Sequence, residues 1–155
     1  MQRHWDKRVS GMKLLLLLLL APAVAPASLA GELKGCGFSD STLTQQVSKG
    51  AQWQLVPGAD WAKVGTIQSA RGALCVFRYS AVVGTGQRGV SRLVIFLADG
   101  TYVGSYGLSL PNKIEIHDNA LRFVSHDNRL DFVDLSSMEL PKTIFVDGEV
   151  VGITP

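Results

Sequence analysis

Alternating and apolar stretches of strand length dominate the pattern of the chain from residue 73 onward. Residues 73–83 and 92–98 are rich in β-branched and aromatic side chains, which is typical of strands. Both stretches are apolar at successive positions, which indicates burial on both faces. Asp99 and Gly100 tolerate positive φ, so we expect a two-residue hairpin turn there and a return strand at 101–108.

The rest of the chain continues in shorter units. Ile114 and Ile116 alternate with charged residues, as on a half-buried strand. Two nine-residue units, 117–125 and 126–134, each join a His-Asp-Asn turn to a short strand. A second Asp-Gly pair, at 147–148, separates two further short strands. Loops this short cannot hold crossover helices. The sequence therefore predicts an all-β antiparallel meander that forms a sandwich or a partly open barrel.

One short helix is expected near the start of this domain. Ser39 or Asp40 can cap it, and Leu43 and Val47, four positions apart, give it an apolar face. The pattern of residues 51–69 fits either a helical turn or a bent strand.

Residues 1–30 have the composition of a secretory signal peptide. A basic stretch precedes seven consecutive leucines, and an Ala- and Pro-rich stretch follows them and ends at Ala30. The apolar run is shorter than the about 20 residues that span a membrane. We expect cleavage after Ala30 and export of a single domain, residues 31–155, to the periplasm or the extracellular space, with no transmembrane segment left. Translation from Met1 and translation from Met12 both stay open.

The charge of the exported part differs from that of the whole chain. Residues 1–30 carry four of the 15 Lys and Arg and one of the 13 Asp and Glu, so residues 31–155 carry 11 basic and 12 acidic residues, a net charge of −1. Binding to nucleic acid or to an anionic membrane surface needs a clustered basic excess. The sequence therefore predicts no nucleic-acid partner.

The exported part contains two cysteines, Cys36 and Cys75. In an oxidising compartment such a pair usually joins, so we expect a disulfide between the mature N-terminus and a central strand. The competing interpretation is lipidation of Cys36, because residues 33–36 read Leu-Lys-Gly-Cys, somewhat like a lipobox. The charged Lys34 fits that motif badly.

The His-Asp-Asn turns are the first candidates for chemistry. His117 and His126 suit zinc, but consecutive turns of a meander lie at opposite ends of the strand between them, roughly 20 Å apart. Ser125, His126 and Asp127 spell a catalytic triad along the chain, yet neighbours on an extended chain point to opposite faces. We therefore predict no metal, no cofactor and no catalytic residue at these turns.

Two features point instead to a binding surface. Residues 84–89 match Gly-x-Gly-x-x-Gly, but a strand follows them, so a dinucleotide site is not expected and a flexible loop carrying Arg88 is. Such a loop could insert into a partner's acidic cleft. Tyr102 and Tyr106 are expected on one face of a strand with Gly104 between them, which leaves either a packed surface or a shallow platform for a partner.

These observations favour a non-enzymatic exported module that binds another protein, such as an inhibitor or immunity protein directed against a secreted or wall-degrading enzyme. Partner contacts are expected at Arg88, Tyr102 and Tyr106. One alternative is a small hydrolase or metalloprotein that uses His117 or His126 with a nearby aspartate. Another is a carrier of a small molecule or lipid inside a β-barrel. No motif in the chain resembles a known family, and the sequence leaves the oligomeric state open.

Overall fold

The computed structural model describes residues 36–84, 88–109, 113–125 and 127–155, all within the unit Gly31–Pro155. The predicted signal peptide lies outside the described residues. One helix and nine strands are formed there: α1 Asp40–Gly50, β1 Asp60–Ser69, β2 Gly72–Val83, β3 Arg88–Leu97, β4 Tyr102–Leu108, β5 Lys113–His117, β6 Ala120–Val124, β7 Leu130–Val133, β8 Thr143–Val146 and β9 Glu149–Thr154. Within this part of the chain, no helix is long and apolar enough to cross a membrane.

The strands form two antiparallel sheets. The larger has the order β1-β2-β3-β4-β9-β8, and the smaller has the order β5-β6-β7. The chain therefore meanders through β1–β4, moves to the small sheet, and returns as the β8–β9 hairpin, which joins the large sheet through β4. The all-β prediction is confirmed, and of its two forms the sandwich is the one present, because the two sheets do not close into a barrel.

Two apolar layers hold the large sheet. One fills the space between the sheets with buried side chains such as Leu93, Ile95, Leu121 and Phe123. The other lies on the opposite face of the sheet, beneath α1 and the segment that follows it. Strands β2 and β3 are thus buried on both faces, which explains why their sequences are apolar at successive positions.

Helix α1 begins where the sequence indicates. Ser39 is the N-cap, and its hydroxyl accepts a hydrogen bond from the N–H of Thr42 at 3.3 Å. Leu43 and Val47 are fully buried against the sheet. The ambiguous stretch 51–69 resolves into an irregular segment followed by β1, because Trp53 and Leu55 pack on the sheet outside any regular element.

The two predicted Asp-Gly turns differ in length. Val146 pairs with Glu149 across Asp147 and Gly148, both at positive φ, so this is the expected two-residue turn. The turn at Asp99 and Gly100 is longer than predicted. Leu97 accepts a hydrogen bond from the N–H of Gly100 and donates to the carbonyl of Thr101, which makes a three-residue loop with Gly100 at φ 90°.

The predicted disulfide is present. Cys36 and Cys75 are joined, with their Cα atoms 5.4 Å apart, and both are buried in the layer beneath α1. The bridge ties the chain ahead of α1 to the first half of β2. A bridged Cys36 has no thiol for acylation, which argues against lipidation of this residue.

Candidate functional site

The hairpin of β2 and β3 extends past the strands on either side of it. Pairing of β1 with β2 stops at Asp60 and Ser80, and pairing of β4 with β3 stops at Leu108 and Ser91. Strands β2 and β3 continue to pair for three further residue pairs, Ala81–Val90, Val82–Gly89 and Val83–Arg88. Residues 81–83 and 88–90, here called the ribbon, therefore project about 10 Å beyond the sheet.

The ribbon exposes an apolar side chain. Val82 has 66% of its surface exposed and lies opposite Gly89, which offers no side chain to cover it. Ala81, directed to the other face of the ribbon, is buried. Arg88, a predicted contact residue, is the first residue of β3; its side chain and residues 85–87 lie outside the described part of the chain.

Two hollows flank the base of the ribbon and share Gly58. The first has a volume of about 240 Å³ and lies between the ribbon and the turn that leads into β1. The second has a volume of about 350 Å³ and lies between α1 and the same turn. Residues lining the first are Gly58, Asp60, Ser80, Ala81, Val82, Gly89 and Val90. Those lining the second are Thr44, Ser48, Leu55, Val56, Pro57, Gly58, Ala59, Trp61 and Tyr79.

An aromatic cluster fixes the chain at the base of the ribbon. The hydroxyl of Tyr79 accepts a hydrogen bond of 2.6 Å from the N–H of Val56. Trp53 and Trp61 each meet the Tyr79 ring edge to face, at centroid distances of 5.0 Å. Trp61 also donates from Nε1 to the hydroxyl of Thr44 on α1 at 3.3 Å. These contacts fix the wall of the second hollow, which Thr44, Val56, Trp61 and Tyr79 help to line.

Arg92 extends this cluster on the helix side of the sheet. Its guanidinium carbon lies 4.6 Å from the centroid of the Trp53 ring, which is a cation–π contact. Partial burial lowers the pKa of Arg92, because removal from water disfavours the charged form. Among the described residues, no carboxylate lies within ion-pair distance of it.

The expectation that Tyr102 and Tyr106 share a face is wrong. The pairing of β3 with β4 shifts between Ile95 and Phe96, and this bulge turns the two tyrosines to opposite faces of the sheet. Tyr106 is fully buried between the sheets, donates to the carbonyl of Pro141 at 2.7 Å, and has its pKa raised by burial. A side chain with no exposed surface cannot contact a partner, so Tyr106 has a packing role.

Tyr102 packs on the helix side instead. Its ring meets Phe96 edge to face at 6.0 Å, and its hydroxyl accepts from Trp53 Nε1 at 3.4 Å. The same hydroxyl lies 3.1 Å from the carbonyl of Thr154. Gly104 is packed and leaves no open platform, because a Cβ there would lie 2.9 Å from Cδ1 of Ile153.

The first His-Asp-Asn turn is built into the scaffold. His117 Nδ1 lies 2.9 Å from a carboxylate oxygen of Asp118, and both side chains are exposed. Asn119 bonds through its side chain to the backbone of Gln68 on β1. The side chain of Asn119 in this turn therefore links the small sheet to the large one.

The second turn makes local hydrogen bonds. Ser125 Oγ donates to the carboxylate of Asp127 and accepts from the N–H of Arg129. In a catalytic triad a histidine lies between the serine and the acid, whereas here the two are in direct contact. His126 lies outside the described residues.

The two turns lie at opposite ends of β6, as the meander predicts. In the described part of the chain, no three His, Cys, Asp or Glu side chains are grouped as metal ligands would be.

Sequence reasoning missed the ribbon and both hollows. The length of the strands could have indicated the ribbon. Strand β2 has 12 residues and β4, on the other side of β3, has seven, so β2 must extend past it. Comparison with protein-family models, with curated proteins and with solved structures found no match to this chain. The candidate site is therefore defined by its geometry alone.

Proposed function

We propose that residues 31–155 form an exported, non-enzymatic module that binds another protein through the ribbon and the hollows at its base. One observation carries this proposal: three residue pairs of β2 and β3 project beyond the sheet with the apolar Val82 mostly exposed. An apolar side chain at the end of a projecting element gains free energy when a partner covers it. Rigid scaffolds with projecting loops are a common arrangement for binding.

The shape of the site suits a concave partner. A ribbon two strands wide and about 10 Å long can enter a cleft, whereas a flat surface would contact only its tip. Clefts of this kind contain the active sites of many enzymes. We therefore propose that the partner is a secreted or wall-degrading enzyme and that the module acts as its inhibitor or immunity protein.

Site-specific photo-crosslinking in the producing cell tests the proposal. A photoreactive phenylalanine analogue replaces Val82 in one variant and Val150 in a matched control, because Val150 is a valine of similar exposure, 72%, on β9. We expect one discrete adduct from position 82 and none from position 150. Equal labelling from both positions, or no adduct from position 82, would contradict the proposal.

The recovered partner then tests the inhibitory role. The exported domain is added to the purified partner, and the enzymatic activity of the partner is measured with the wild type and with Val82→Asp. We expect inhibition by the wild type and its loss in the variant, since a buried carboxylate without a partner opposes binding. Val150→Asp serves as the control and should inhibit like the wild type.

A further inference from the structure

We infer that the partner binds by adding an extended segment to the open edge of β2 at residues 81–83, as a continuation of β1. This inference rests on the proposed function, because it describes how a protein partner would engage the ribbon. It is carried by the point at which β1 ends. Pairing of β1 with β2 stops at Asp60, although β2 continues for three more residues.

The chain ahead of β1 leaves this edge uncovered. The N–H of Ala59 bonds to the carbonyl of Val56, so the chain turns ahead of Asp60 and packs on the helix-side face of the sheet instead of running along the edge of β2. On the side facing β1, residues 81–83 have no strand among the described residues with which to pair. Backbone N–H and C=O groups on an open strand edge are a template for another strand.

The first hollow adjoins this edge of the ribbon. Its lining comes from β2, from β3 and from the chain at the start of β1, namely Ser80, Ala81 and Val82, Gly89 and Val90, and Gly58 and Asp60. Its volume of about 240 Å³ suits a short stretch of extended chain with small side chains. A segment placed there would pair with β2 in the direction and position of β1.

The two outer strands of the large sheet, β1 and β8, are already linked to the small sheet by hydrogen bonds. At β1, the side chain of Asn119 bonds to the backbone of Gln68. At β8, the N–H of Asp147, which follows the strand, donates to the carboxylate of Asp131 on β7 at 2.7 Å. The edge of β2 at residues 81–83 has no such hydrogen bonds to another segment within the described chain. We therefore assign the partner to this edge.

The lining residues define the chemistry of the segment. Val82 favours a β-branched apolar side chain beside it on the added segment. The exposed carboxylate of Asp60, at the point where β1 begins, favours a Lys or Arg nearby. The expected ligand is thus an extended segment of three or four residues in which Val, Ile or Thr adjoins a basic residue.

A second copy of this chain fits the edge less well. If two copies paired antiparallel through residues 81–83, the chain following Val83 of one copy would run toward the turn at Pro57 and Gly58 of the other. A free peptide segment can end before it reaches this turn.

The experiment uses the full exported domain with its disulfide formed. A library of random linear heptapeptides is selected on the wild type, and the recovered peptides are synthesised. Backbone amide exchange is then measured by NMR with and without peptide. We expect the peptides to carry a β-branched residue beside Lys or Arg, and to slow exchange of open-edge amides in residues 81–83 by about tenfold or more.

Two variants test whether peptide binding depends on this edge or on another part of the surface. Asp60→Lys should weaken peptide binding roughly five- to tenfold, because it replaces an attraction by a repulsion. Val150→Asp should leave the affinity unchanged.

Three outcomes would overturn the inference. Peptides that depend on Val82 but leave these amides unprotected would indicate docking through side chains. Failure to recover any ribbon-dependent peptide would exclude capture of a short strand. Protection of the same amides by self-association, seen as a dimer in sedimentation without peptide, would assign the edge to a second copy. Each leaves the adduct from position 82 as a separate test of the proposed function.

Discussion

The side-chain amide of Asn119 makes two hydrogen bonds to the backbone of Gln68, and it thereby joins the small sheet to the edge of the large one. Oδ1 accepts from the N–H of Gln68 at 2.7 Å, and Nδ2 donates to its carbonyl at 2.8 Å. An amide side chain has the same donor and acceptor as a peptide unit. Asn119 therefore takes the place of a strand residue beside β1.

Asn119→Gly should lower the free energy of unfolding by about 1–2 kcal/mol, because two hydrogen bonds are lost. Glycine keeps the positive φ of 61° at this position, so the change isolates the side chain. The measurement is urea unfolding at neutral pH. Asn128→Gly is the matched control, since Asn128 has φ 62° and its side chain makes no hydrogen bond within the described residues. A loss of equal size in both variants would show that the amide bonds contribute nothing.

Removal of the disulfide should destabilise the domain by about 2–4 kcal/mol, because the bridge closes a loop with a sequence separation of 39 residues. The variant is Cys36→Ala combined with Cys75→Ala, compared with the wild type in urea unfolding. Reductant should lower the wild-type midpoint to near that of the variant and leave the variant unchanged. An unaltered midpoint in the variant would mean that the bridge does not stabilise the fold.

Asp127 should titrate below the ordinary range of aspartate. The hydroxyl of Ser125 is the main cause, and the guanidinium of Arg129 adds to it, so the pKa of Asp127 is lowered. Because the folded pKa lies below the unfolded value of about 4, the stabilisation is present above that pH and is lost as the pH falls through the folded pKa. The measurement is an NMR titration of the side-chain carboxyl carbon.

Two serine variants assign the cause of this shift. Ser125→Ala should raise the pKa of Asp127 toward its ordinary value. Ser136→Ala should raise the pKa of Asp134, whose lowering comes from Ser136, and should leave Asp127 alone. If Asp127 titrated identically in the wild type and Ser125→Ala, the hydroxyl would not be the cause.

Arg92→Lys should lower the free energy of unfolding by about 0.5–1 kcal/mol, because a strongly hydrated ammonium stacks on Trp53 less well than a planar guanidinium. The measurements are urea unfolding and tryptophan fluorescence, which reports the replacement of the guanidinium beside the Trp53 ring. Arg71→Lys, at an exposed arginine, should change stability by less than about 0.5 kcal/mol. Indistinguishable unfolding curves for Arg92→Lys and the wild type would remove the stacking contribution.

The sequence predicts much of the fold because many of its signals are local. Ser39 caps α1 through a residue three positions away, and Asp147 with Gly148 forms its turn within four residues. The pairing of Cys36 with Cys75 needed no geometry, because the sequence contains no other cysteine. Such features depend on residue type and short spacing, which a sequence displays directly.

The candidate site could not be predicted from local signals of this kind. Tyr102 and Tyr106 are four residues apart, and a regular strand would place them together, but a single bulge against β3 separates them. The ribbon likewise exists because β1 and β4 stop before β2 and β3 do, at Asp60 and Leu108. Neither the bulge nor the relative ends of four strands can be seen in any one segment.

By itself, the sequence determined the class of the domain, its helix, most of its turns and its disulfide, because hydrophobic periodicity and turn chemistry act between near neighbours. Only the tertiary structure decided which faces β4 presents, where Asn119 bonds and how far the ribbon projects. These depend on register between strands distant in sequence, and a shift of one residue in pairing sends a side chain to the opposite face of the sheet.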